Sequence, residues 1–156
     1  MKLDKFTWTV IVVVLLLSVA AVITVSRTGG AGVAAAEYVE GNEPETPVQN
    51  AFIAFQRGDR TRARAQYSQA VLAEIDEQMG YDPFSGRAAS QTSSRLRITG
   101  VELDETDPDR ALVSFVQDTY SRGGLFGAGN TWSREGTVEV IREDGQWKIN
   151  AQEFFY

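Results

Sequence analysis

Asp118 and Tyr120 stand two apart in the run ALVSFVQDTYS, a spacing that puts both side chains on one face of a β-strand. A carboxyl group in an apolar pocket can have its pKa raised far enough to act as a base near neutrality, and a neighbouring tyrosine can share or donate a proton. Tyr67 is the third residue such a site would recruit. The competing reading sets Asp118 and Tyr120 on the outer face while Val113 and Phe115 fill the core, because most carboxylates are ordinary surface groups. On that reading no residue is assigned a catalytic role.

Asp104, Glu105, Asp107 and Asp109 surround Pro108 and supply oxygens of the kind Ca²⁺ takes in sets of six to eight. They lack the spacing of an EF-hand loop, and a solvated hairpin turn explains the same residues, so no metal is expected. The chain has no Cys and no His, which removes thiolate chemistry, disulfides, the commonest general base and most zinc sites. No cofactor is expected either. The Gly-rich stretch 121–131, SRGGLFGAGNT, has no GKS/T ending and follows no parallel strand, which argues against a phosphate cradle. Leu125 and Phe126 near its tip either fold back onto the domain or touch a partner or a membrane interface. Phe155 and Tyr156 raise the same question, since alternating strand faces bury only part of the Phe154–Tyr156 aromatic run.

With 156 residues there is room for one ordinary domain to hold these groups. Fifteen Lys and Arg against 21 Asp and Glu leave a net charge of −6, which would repel a phosphate backbone, so nucleic acid is not an expected partner. Mean hydropathy is −0.21, but the apolar excess is confined to the part before Ser26.

Between Lys5 and Arg27 no charged residue, Gly or Pro interrupts the sequence, and 13 of the positions from Phe6 to Val25 are Phe, Val, Ile or Leu. A bilayer core needs about 20 helical residues. At roughly −0.3 to −0.6 kcal/mol for each of these residues, insertion is favoured by several kcal/mol. Lys2 and Lys5 precede the span and only Arg27 follows before a run of Glu, so the N-terminus is expected in the cytoplasm and the rest of the chain outside it. Trp8 is placed as an interfacial anchor, and Ala20 with Thr24 is a small pair four apart at which a second helix could pack. A signal peptide cleaved near Ala34–Ala36 is the rival reading, but that site lies too far beyond Val25 for the usual geometry.

The domain boundaries follow. Residues 1–26 form the cytoplasmic stub and a single transmembrane helix, 27–46 a Gly/Ala/Glu linker, and 47–156 the folded domain. Thr46-Pro47 marks a helix start with Thr as N-cap, Val48, Ala51, Phe52 and Phe55 make one apolar stripe, and Gly58 is the left-handed stop. Asp59 or Thr61 caps a second helical segment, and Ser68 a third in which Val71, Leu72, Ile75 and Met79 share a face. The period then changes to two. Strands are expected through Leu96 and Ile98, with a bulge at Gly100, then over 111–120, 132–142 and 146–154, the last two joined by a tight turn at Asp144-Gly145. The fold class is α+β: a transmembrane helix, a flexible linker, and short helices packed on a curved four-stranded antiparallel sheet.

A helix ending in Phe55-Gln56-Arg57-Gly58-Asp59, a Tyr67-Ser68 step, a strand meander and a final Asp144-Gly145-Gln146-Trp147-Lys148-Ile149 strand together resemble the nuclear-transport-factor-2-like superfamily. The resemblance covers about 47–156 and implies a cystatin-like α+β cone. It implies no single activity, because such a fold hosts enzymes, small-molecule binders and subunits of assemblies. The five aromatics Phe52, Phe55, Phe115, Trp132 and Trp147 favour a closed interior. The expected function is a membrane-anchored, non-catalytic accessory subunit that touches lipid and other subunits of a respiratory, photosynthetic, transport or envelope complex. The alternative is a small-ligand carrier or cofactor-free enzyme using the pocket of the cone.

Overall fold

A computed structural model describes residues 37–78, 80, 82–85, 92–121 and 129–155. The expected span from Phe6 to Val25, with Trp8, Ala20 and Thr24, lies outside them, as do Leu125, Phe126 and Tyr156. No helix among the described residues is long and apolar enough to cross a membrane.

Three helices come first: α1 (Thr46–Arg57), α2 (Arg60–Arg64) and α3 (Gln69–Gln78), then a single 3₁₀ turn at Pro83–Ser85. Helix α1 starts one residue earlier than the sequence suggests. Thr46 is its first helical residue and not its cap, because its hydroxyl turns back to the Glu43 carboxylate (3.3 Å) and leaves the helix N–H groups alone. The stripe Val48, Ala51, Phe52 and Phe55 is buried, and Gly58 ends the helix at φ 66°. Asp59 caps α2 by accepting from Arg62 N at 3.1 Å, and Ser68 Oγ accepts from Val71 N at 3.2 Å in the first turn of α3.

The strands are β1 (Thr92–Leu103), β2 (Arg110–Ser121), β3 (Asn130–Glu143) and β4 (Gln146–Ile149), paired antiparallel in chain order as one four-stranded sheet. The register of β1 slips between Ile98 and Gly100, where the bulge was expected. Asp144 and Gly145 both have positive φ (50° and 78°), which closes the β3–β4 hairpin in two residues. Strand β4 stops at Ile149 and does not run on to Phe154. Asn150 instead donates from its backbone to Glu139 O (2.8 Å), and the remaining chain leaves the sheet to carry Phe155 into the core, fully buried.

Strand β2 alternates, with Ala111, Val113, Phe115, Gln117 and Thr119 buried on its inner face. Val138, Val140, Trp147 and Ile149 extend that face, and α1, Tyr67, Val71, Ile75 and Phe84 pack on it. Ser68 N to Ile149 O (2.9 Å) and Ile149 N to Gln66 O (2.8 Å) tie the helical layer to β4. Close ring pairs fill the interior, among them Phe115 with Phe155 (5.4 Å between centroids), Phe84 with Phe154 (5.7 Å) and Phe55 with Phe84 (5.9 Å). Four of the five aromatics expected to close the interior are buried; Trp132 is the exception, 48% exposed near the start of β3.

Glu37–Glu45, the chain entering α1, lies against the helices. The Tyr38 ring has the guanidinium carbons of Arg57 and Arg62 at 4.7 and 4.3 Å from its centroid, and its hydroxyl donates to Asp59 Oδ2 (3.1 Å). The Asn50 side-chain amide accepts from Val39 N (2.8 Å) and donates to Val39 O (3.0 Å), and Asn42 Nδ2 donates to Gly145 O (2.9 Å). Exposed cation–π contacts of this kind are worth ~0.5–1 kcal/mol each.

Candidate functional site

Asp118 and Tyr120 share a strand face, as their spacing requires, but it is the outer one. The Asp118 carboxylate accepts from Ser133 Oγ (2.6 Å) and from Arg97 Nε (3.1 Å), and these contacts, the serine first, hold its pKa below the ordinary carboxylate value. A base poised near neutrality would need the opposite shift. Tyr67 is on the far side of the sheet, buried, with its hydroxyl donating to Glu153 O. The three residues are not brought together.

The acidic hairpin turn is satisfied from within. The Asp104 carboxylate accepts from Thr106 N (2.8 Å), Thr106 Oγ1 (2.7 Å) and Asp107 N (3.1 Å), the threonine hydroxyl being the main reason its pKa is depressed. Asp109 pairs with Arg142 at 3.4 Å. These are turn-forming carboxylates. Among the described residues no group of acidic side chains is arranged to hold a metal.

What the sequence reading missed lies one residue away from its candidates. The ladder aligns Ser94, Thr119 and Trp132 in one cross-strand row and Leu96, Gln117 and Arg134 in the next, all on the inner face. Ser94, Gln117 and Thr119 are 7%, 3% and 9% exposed, an unusual depth for polar side chains in an apolar layer. Each has a partner: Ser94 Oγ and Thr119 Oγ1 share a hydrogen bond of 3.2 Å, and Arg134 Nη2 donates to Gln117 Oε1 at 2.8 Å. The same guanidinium pairs with Glu153 and sits 5.7 Å from the centroid of Phe115. The hydroxyl and amide groups of the row are taken up by hydrogen bonds within the domain. Its carboxylate, on Glu153, is already paired with a cation. The parity of β2 was the available signal, since Gln117 and Thr119 alternate with Val113 and Phe115.

A concavity of about 580 Å³ lies between residues 41–47 and the β3–β4 turn, lined by Asn42, Glu43, Gln66, Asp144, Gln146 and Lys148 among others. Lys148 Nζ donates to Ala65 O (2.7 Å) at its wall. It is an open groove with a mostly polar lining, unlike the usual small-molecule site.

Three carboxylates, Asp104, Asp118 and Glu139, are held below their ordinary values of 3.8, 3.8 and 4.5, Glu139 chiefly by Asn150 and then by Arg110. The unfolded chain therefore binds more protons than the folded one in acid. The stabilisation they confer is present above pH values near 4 to 4.5 and is lost as pH falls through the folded-state values. The urea midpoint is expected to be level from pH 7 to 5 and to drop between pH 4.5 and 3, less steeply in Asp118→Asn. A midpoint unchanged down to pH 3 would contradict the assignment.

No protein-family model matches the chain, and no curated protein matches it. Among solved structures it is similar to a SEC-C motif containing protein from Rhodopseudomonas palustris, at 16% identity over 71% of this chain and 77% of that one, with a TM-score of 0.51. It is also similar to a candidate scytalone dehydratase from Novosphingobium aromaticivorans (12% identity, 68% and 76% covered, TM-score 0.42). A third is an NTF-2 like protein of unknown function from Shewanella oneidensis (16% identity, 67% and 88% covered, TM-score 0.39). At such identities the likeness concerns the fold.

Proposed function

We propose that this chain is a membrane-anchored, non-catalytic interaction module whose α+β domain is displayed outside the cytoplasm to other subunits of a membrane complex. One observation carries the non-catalytic part. The interior is filled by Phe52, Phe55, Phe84, Phe115 and Phe155, while the one carboxylate placed beside a tyrosine on a strand faces outward in a pair with Arg97. General acid–base chemistry needs a free group within hydrogen-bond reach of a bound substrate. The anchored part is supported by the chargeless stretch from Phe6 to Val25 and by the Lys2/Lys5 flank.

The test is extraction of the tagged full chain. It is expected to resist an alkaline carbonate wash, to require detergent, and to co-purify with integral membrane proteins. Leu125→Ser with Phe126→Ser is expected to keep the chain in the membrane but to weaken that association at least threefold; unchanged co-purification would remove those two residues from the interface. Release by salt or carbonate alone would sink the anchored reading.

A second reading, a carrier for a small polar ligand, would use the buried row Ser94, Gln117 and Thr119, with the ligand taking over hydrogen bonds that these groups now make to one another and to Arg134. Recovery of a lone monomer with a ligand bound, and loss of that ligand in Gln117→Leu, would put this reading first.

A further inference from the structure

Glu37–Glu45 carries a set of contacts that a passive spacer would not need. Asn50 offers one acceptor and one donor to the N–H and C=O of a single residue, Val39, so it reads main chain and makes no demand on the side chain there. Selectivity sits one residue earlier. The Tyr38 ring has two guanidinium groups close to it and its hydroxyl reaches Asp59, at the corner where Gly58 turns the chain from α1 into α2. Aromatic ring, hydroxyl and main chain are each recognised by a separate group.

We propose that the α1–α2 corner is a docking site for a tyrosine-bearing segment, and that its occupant is this chain's own Glu37–Glu45, held as a releasable latch. Release is built into the way it is held. Val39, Glu40, Gly41, Asn42 and Glu43 are all exposed and Tyr38 is only partly buried at the edge of the core, so one ring and a few surface contacts oppose the entropy of ordering the segment. The consequence rests on the anchored reading above, although the docking does not. Undocking Glu37–Glu45 would add about 30 Å of extended chain to the tether, at roughly 3.3 Å per residue, and so set how far the domain reaches from the membrane.

Two measurements on the full chain in lipid nanodiscs decide it. The first is cleavage after Glu40 by a glutamate-specific protease. It is expected to be slow in the wild type and at least tenfold faster in Asn50→Ala and in Tyr38→Ala, with the domain's unfolding midpoint within two degrees of wild type. Tyr38→Phe, which keeps the ring beside the arginines, is expected to retain most of the protection. Equal cleavage of wild type and Asn50→Ala would overturn the latch. The second uses a dye at Gln152→Cys, unambiguous because the chain has no other cysteine, with acceptors on the lipid headgroups. Energy transfer is expected to fall by about half in the double variant Tyr38→Ala/Asn50→Ala, and unchanged transfer would overturn the effect on reach. Loss of the chain from the membrane in a carbonate wash would refute the anchoring alone and leave the protease result standing.

Discussion

Replacing Phe155 with alanine is expected to lower the unfolding free energy by about 3–5 kcal/mol, the usual cost of deleting a buried phenyl ring and leaving its cavity. The ring is fully buried and lies 5.4 Å from Phe115, 6.4 Å from Phe55 and 6.5 Å from Phe52, so it joins the sheet layer to α1. Against a total of about 5–15 kcal/mol for an ordinary domain, one substitution in the tail should consume a large part of the stability. Urea unfolding at pH 7 measures it, with Trp132→Ala as control. That ring is 48% exposed, and its loss should change stability by about 0.5 kcal/mol or less. The comparison also separates two roles for the tail. A ring that contacted a partner would leave stability unchanged on truncation and weaken association; the burial of Phe155 predicts the reverse. A loss below about 1 kcal/mol would return it to the interface.

The second large effect is expected at Gly136, directly opposite Phe115 in the β2–β3 ladder. A methyl group added there would come within 2.6 Å of the Phe115 ring, and Phe115 is only 1% exposed, so the ring has nowhere to retreat. Gly136→Ala is expected to destabilise by about 1–3 kcal/mol through overpacking, although alanine would ordinarily suit a strand no worse than glycine. The cause can be isolated by a double-mutant cycle. Phe115→Leu opens space at the same point, and the double variant should lose less stability than the two single losses added together. Strict additivity would mean that Gly136 is needed for some reason other than room for the ring.

Neither effect reduces to local sequence preference, and this marks where sequence reading ends. Helix starts, stops and caps are local: Asp59, Ser68 and Gly58 act on atoms within a few residues, so their roles could be read directly. The hairpin at Asp144-Gly145 was legible for the same reason, since two positive φ angles select those residue types. Parity along β2 was also present, but it became decisive only once β1 and β3 showed which face was covered. Asp118 and Gln117 exchange roles on that single fact, one an outward ion-pair member and the other a buried group held by Arg134.

By itself, the sequence determined the α+β class, the order of helices before strands, the chargeless stretch from Phe6 to Val25, and the lack of any thiol or imidazole chemistry. Each depends on composition or on neighbours a few positions apart. Tertiary structure alone decided that β4 stops at Ile149, that Phe155 is core, that Arg134 meets Glu153 across the inner face, and that Tyr38 docks against Arg57 and Arg62. Those contacts join residues far apart in the chain, and they form because the whole domain must satisfy buried polar groups and fill its volume at once.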